Sequence, residues 1–196
     1  GVPGWVMALG AAVVLAVVVG VAVLIGPSIT GRSTEPNTSI PPPASVVTAA
    51  VSPDVPTALS SPSGNVMVDV PVGSVAAAME ISYSAIEVDE VPERPRGYTL
   101  TDKVFDLSLS GVDGQPPGGA TDLEAPLTVT VTIDTRDVAL AGGDPSRLVI
   151  QHRHYGEGWE PLETSVDFAS SRATAQVHRL SLFALAVRDA EQQVTT

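Results

Sequence analysis

Leu127-Thr128-Val129-Thr130-Val131-Thr132-Ile133 alternates apolar side chains with threonine without a break. A period of two places Leu127, Val129, Val131 and Ile133 on one face of a strand and the three threonines on the other. A helix would scatter the same residues around its circumference, and β-branched side chains fit a pleated, half-buried surface. The same period recurs on both sides of this stretch. Val66, Val68 and Val70 alternate before Pro71-Val72-Gly73, Met79, Ile81 and Tyr83 follow, and then come Phe105, Leu107 and Leu109. That last run ends in Gly111-Val112-Asp113-Gly114, whose Asp-Gly pair is a strong turn signal. Segments 148–155 and 159–162 flank Gly156-Glu157-Gly158 and read as a hairpin, and 166–177 reads as a strand pair turning near Ser170-Ser171. Segment 182–187 is short and continuously apolar, the pattern of a strand covered on both faces. About seven to nine strands spaced by turn signals predict a mainly β fold, an antiparallel β-sandwich over 63–188. Past Ile25 no segment keeps a 3.6-residue period, and 74–80 offers one helical turn at most.

The N-terminus has a different character. Residues 5–30 carry no charged side chain. As a helix over 5–26, rising about 1.5 Å per residue, the run reaches roughly the 30 Å of a bilayer's hydrocarbon core. It lacks the polar face that a water-soluble helix of that length needs. Trp5 suits the headgroup level, and Ile25 is the last apolar residue before the helix stop Gly26-Pro27. The expectation is one transmembrane α-helix, with 1–4 as a short flank. A cleaved signal peptide fits less well, because Gly1-Val2-Pro3-Gly4 has no basic residue and the apolar run exceeds the usual h-region. The uncharged flank, and a first residue other than Met, suggest native residues before Gly1. Ala8, Ala12, Ala16 and Gly20 recur every four residues and form a candidate self-association face, although an Ala-rich segment produces such a ladder by chance. Residues 27–62 hold eight prolines and no aromatic residue, which predicts an extended stalk. Within it Val46–Val51 is a weakly patterned candidate first strand. Residues 189–196 are expected to be a disordered tail.

Acidic residues outnumber basic ones 22 to 10, for a net charge of −12. Nucleic acid is therefore not an expected partner, since its phosphates require a basic surface. The chain has no cysteine, which excludes disulfides and thiolate chemistry. The expected partners are the lipid bilayer and an unidentified protein. The span, stalk and sandwich order leads to a single-pass cell-membrane protein with its large domain outside the cytoplasm.

Two stretches resemble a known family. Val68-Asp69-Val70-Pro71-Val72-Gly73-Ser74-Val75 resembles an early strand of the ZU-five domain, a β-sandwich. Trp159-Glu160-Pro161-Leu162, together with His178-Arg179-Leu180-Ser181-Leu182-Phe183-Ala184, is similar to the C-terminal end of that family and of the related autoproteolysis-inducing (GAIN-type) domains. Self-cleaving relatives carry His-(Leu/Phe)-(Ser/Thr), so the resemblance implies a cut at Leu180–Ser181. The position two before Ser181 is Arg179, which cannot act as a base. His178 lies one place further back and is expected on the opposite face of a strand. The resemblance thus brings the scissile pair without its base, and Ser181 otherwise reads as an ordinary strand residue beside Phe183.

His152-Arg153-His154 puts two imidazoles on one face of a strand, a spacing that metals use. A third ligand would have to be His178 or a carboxylate such as Glu157. Two histidines make an incomplete site, the polar end of a hairpin accounts for them as well, and no metal or other cofactor is expected. Glu87, Asp89, Glu90 and Glu93 form an acidic loop without calcium-ligand spacing. There is no nucleophile elbow, phosphate-binding glycine loop or His-Glu-x-x-His helix. The sequence therefore leads to a non-enzymatic binding, sensing or scaffold module. The extracytoplasmic half of a transmembrane signalling regulator of the anti-sigma type and an autoproteolytic domain are the alternatives.

Overall fold

The structure is a computed structural model, and it describes residues 46–190 apart from 92, 112–121 and 155. The span with Trp5, Ala8, Ala12, Ala16, Gly20 and Ile25 lies outside the described residues. So do the stalk up to residue 45, the Asp113-Gly114 turn and the end of the tail. Among the described residues no helix is long and apolar enough to cross a membrane.

The elements in chain order are β1 (Val46–Val51), β2 (Thr57–Ser60), β3 (Val66–Val70), β4 (Met79–Ile86), β5 (Tyr98–Gly111) and β6 (Asp122–Thr132). Then come α1 (Thr135–Leu140), β7 (Leu148–Arg153), β8 (Trp159–Pro161), β9 (Thr164–Asp167), β10 (Arg172–Arg179) and β11 (Leu182–Arg188). They build two antiparallel sheets, one ordered β1-β4-β5-β11-β7-β8 and the other β2-β3-β6-β10-β9. The fold is mainly β, as the period of two predicts.

One core lies between the sheets. From β6 it takes Leu127, Val129 and Val131, and from the residue just after the strand Ile133, together the apolar face of the stretch quoted at the outset. β3 adds Val66, Val68 and Val70, and the facing sheet adds Ile81, Phe105, Leu107, Ile150, Phe183 and Leu185. Each such side chain, fully buried, contributes about 1.5–3 kcal/mol. β11 is covered on both faces, as its unbroken apolar run predicts. Phe183, Leu185 and Val187 face the main core, while Ala184 and Ala186 pack with Val91, Leu100, Val104 and Val149 on the outer side. The small alanines let this second layer lie close to the sheet.

Three features depart from the sequence reading. The sandwich begins at Val46 instead of 63, because β1 pairs with β4 and β2 with β3. Both are edge strands, where the prolines around them remove no ladder hydrogen bond. Residues 74–80 form no helical turn. Val72 and Gly73 make a tight turn closed by Ser74 N–H donating to the Pro71 carbonyl (3.3 Å), with Gly73 at φ +79°, and the chain then enters β4. The helix is α1, which follows β6. Its N-cap Asp134 accepts from the amides of Arg136 and Asp137, and the Asp137 carboxylate accepts from the Asp134 amide, a reciprocal capping box. Six residues are too few to display a helical period, so the sequence showed no sign of it.

Candidate functional site

The β7–β8 hairpin turns through Gly156, which has φ +80°, a conformation that favours glycine. Reflection through that residue pairs His152 with Glu160 and Arg153 with Trp159. Cross-strand neighbours share a face, so the His152 ring and the Glu160 carboxylate meet. The face is the inner one. His152 lies opposite Phe183, which lies opposite Phe105, in the β11 ladders. Tyr83, Phe105, Phe183 and His152 stack in a row across four strands, with centroid separations of 5.6, 5.6 and 4.4 Å. The imidazole therefore ends an aromatic row and is buried, with 2% of its surface exposed.

Ser181 sits in the corner between β10 and β11, outside either strand, and is also 2% exposed. Its Oγ lies 3.2 Å from His152 Nε2 and donates to the Arg153 carbonyl. A carbonyl can only accept, and a serine hydroxyl carries one proton. The proton between Ser181 and His152 must then belong to the ring, so His152 Nε2–H donates to Ser181 Oγ. In the neutral imidazole this leaves Nδ1 as a lone pair, and Nδ1 lies 3.4 Å from Glu160 Oε1. Burial, followed by the charge of His154, pushes the His152 imidazolium down to about 4, against the upward pull of Glu160. In that tautomer the Nδ1 lone pair points at the Glu160 carboxylate. His154, half-buried just past β7, brings Nε2 to 2.9 Å from the same Oε1, and the two imidazoles meet edge to face at 4.1 Å.

The residues singled out by sequence are partly reunited here. His152 and His154 come together, and His178, Glu157 and Arg179 border the same open cleft beside Glu160. His178 is exposed, and Ser181 hydrogen-bonds to His152 in its place. Ser181 is consequently not an ordinary strand residue. Glu160 is the carboxylate that meets both imidazoles, where the sequence reading named only His178 or a carboxylate such as Glu157. Counting the hairpin register from Gly156 would have found it.

A second polar cluster went unnoticed. The chain's single lysine, Lys103, continues the inner-face series Phe105, Leu107 and Leu109 of β5 and is 6% exposed. Its Nζ donates to Asp137 (2.6 Å), Asp134 (2.9 Å) and Asp102 (3.5 Å), closing over the capping box of α1. Burial pulls its pKa down, but the hydrogen bonds it donates to Asp137 and Asp134, with the charges of Asp137 and Asp102, outweigh that and leave it raised. The bond to Lys103 is the chief reason that Asp134 is lowered. No protein-family model matches the chain, and comparison with curated proteins gives no match either.

Proposed function

We propose that the chain is a non-catalytic binding module, a β-sandwich carried outside the cytoplasm by an N-terminal membrane span and a Pro-rich stalk. The observation that carries this reading is the order along the chain. An uncharged run over residues 5–30 is followed by proline-rich sequence, and the first strand of the sandwich starts at Val46. The absence of a usable nucleophile in the candidate site supports the non-catalytic part. The hydroxyl that meets a histidine, that of Ser181, is buried and donates to a backbone carbonyl. Alkaline carbonate extraction of membranes tests the tether. The full chain should stay in the pellet, and a chain lacking residues 1–26 should be released. A full chain that is extracted with peripheral proteins would contradict the reading.

A second reading, self-cleavage at Leu180–Ser181, is favoured by one contact. The His152 ring, 3.2 Å from Ser181 Oγ, offers the base that Arg179 cannot provide. Oγ would attack the Leu180 carbonyl carbon, and the amide would leave on the Ser181 nitrogen as it gains a proton. Water would then hydrolyse the resulting ester. The hydroxyl proton would first have to turn from the Arg153 carbonyl to the ring. A denaturing gel decides between the readings. The binding-module reading expects one band at 20.1 kDa, whereas self-cleavage expects two that merge in Ser181→Ala.

A further inference from the structure

We propose that His152 Nδ1, His154 Nε2 and Glu160 Oε1 form a binding site for a divalent first-row transition ion of the zinc class. The site does not depend on the membrane tether and is independent of the functional reading above.

The geometry is that of a ligand set. Two imidazole nitrogens bound to a tetrahedral zinc at about 2.0–2.1 Å lie about 3.3 Å apart, and a carboxylate oxygen fits at a similar separation. Here Glu160 Oε1 is 3.4 Å from His152 Nδ1 and 2.9 Å from His154 Nε2, and one ligand atom from each of the three residues lies within 4.8 Å of the others. A cation between them would need side-chain movements of about an ångström. His154 Nε2–H donates to Glu160 Oε1, so metal binding there requires its ring proton to sit on Nδ1 instead. Two nitrogens and one oxygen suit zinc and its first-row neighbours better than magnesium or calcium, which prefer oxygen alone.

The surroundings fit as well. Nε2–H of His152 is held by Ser181 Oγ, and Ser181 is held by the Arg153 carbonyl. This outer-shell arrangement fixes the tautomer and orientation of a metal-bound histidine. Stacking on Phe183 immobilises the ring further. Hydrogen bonding thus turns the His152 lone pair toward a carboxylate, where a cation relieves the opposition. Arg179 borders the cleft and opposes a cation, while Glu157 on the same border favours one. The cleft leaves a fourth coordination position open to water or to a partner's side chain.

The test uses the full chain in detergent, stripped with a chelator and titrated calorimetrically with zinc chloride at pH 7.5. One equivalent should bind, and cobalt(II) in its place should give the visible absorption of a tetrahedral nitrogen–oxygen site. His154→Ala and Glu160→Gln remove groups at or near the surface and should leave the circular dichroism spectrum intact. Each should weaken zinc binding by at least about 100-fold, and Ser181→Ala by about 10–100-fold. An absence of heat with zinc would overturn the proposal. So would equal affinity in wild type, His154→Ala and Glu160→Gln, because the ion would then bind elsewhere.

Discussion

Two clusters flank β7, and each brings three metal-ligating side chains within 4.8 Å of one another. Asp102, Asp134 and Asp137 gather near the segment leading into the strand, while His152, His154 and Glu160 gather at its end. They differ in where the positive charge comes from. The aspartates surround the ammonium of Lys103, with Nζ 2.6 Å from the buried Asp137. That cluster carries its own cation, one ammonium among three carboxylates, as part of the fold. The histidine cluster has no ammonium at its centre. Burial lowers His152, and its Nδ1 faces a carboxylate. Similar ligand geometry therefore serves structure in one place and is open to a ligand in the other.

The largest effect should come from removing the built-in cation. Lys103→Met leaves the Asp137 carboxylate buried without its partner, which should cost about 3–5 kcal/mol and lower Tm by on the order of 10 °C. A melting curve within about 1 kcal/mol of wild type would show that the aspartate cluster does not depend on its lysine. Next in size is stabilisation by zinc. At 100 times the wild-type Kd it should add about 2.7 kcal/mol to the wild type and at most about 0.4 kcal/mol to Glu160→Gln. Lys103→Met should retain the zinc response, which separates the two clusters.

Acid should separate them again. A histidine lowered in the folded state binds its proton mainly when unfolded, so stability is complete above about 6.5 and falls as the pH drops toward about 4. Asp134 is also lowered, and its contribution persists until the pH falls below 3.8 and through its folded value. Lys103, being raised, contributes below 10.5 and loses its contribution as the pH climbs through its folded value. Chemical denaturation in chelator across the acid range should show a first loss between 6.5 and about 4 that His152→Phe removes. A flat profile there would contradict the buried neutral imidazole. The smallest effect should be that of Asp134→Ala, about 1 kcal/mol from the lost helix cap plus a partly screened ion pair.

The parts legible in sequence were those with a local signature. β6 and β11 were readable because burial on one face or on both leaves its own pattern in a single strand. β2 was hidden because edge strands tolerate the flanking prolines that otherwise signal a stalk. The two clusters were hard to read for a related reason. Lys103 meets aspartates 31 and 34 residues away, and nothing local marks a lone lysine as buried. The His152 and His154 pair was visible, but Glu160 and Ser181 join it only through the hairpin register and the β10–β11 corner. His178, closer to Ser181 in sequence, turned out to lie on the exposed side.

X-ray absorption at the zinc edge, on the full chain loaded with one equivalent, tests the histidine cluster most directly. The account predicts two imidazole nitrogens and one carboxylate oxygen at about 2.0–2.2 Å, completed by one further light ligand. A first shell without imidazole would contradict it, as would an ion held by oxygens alone.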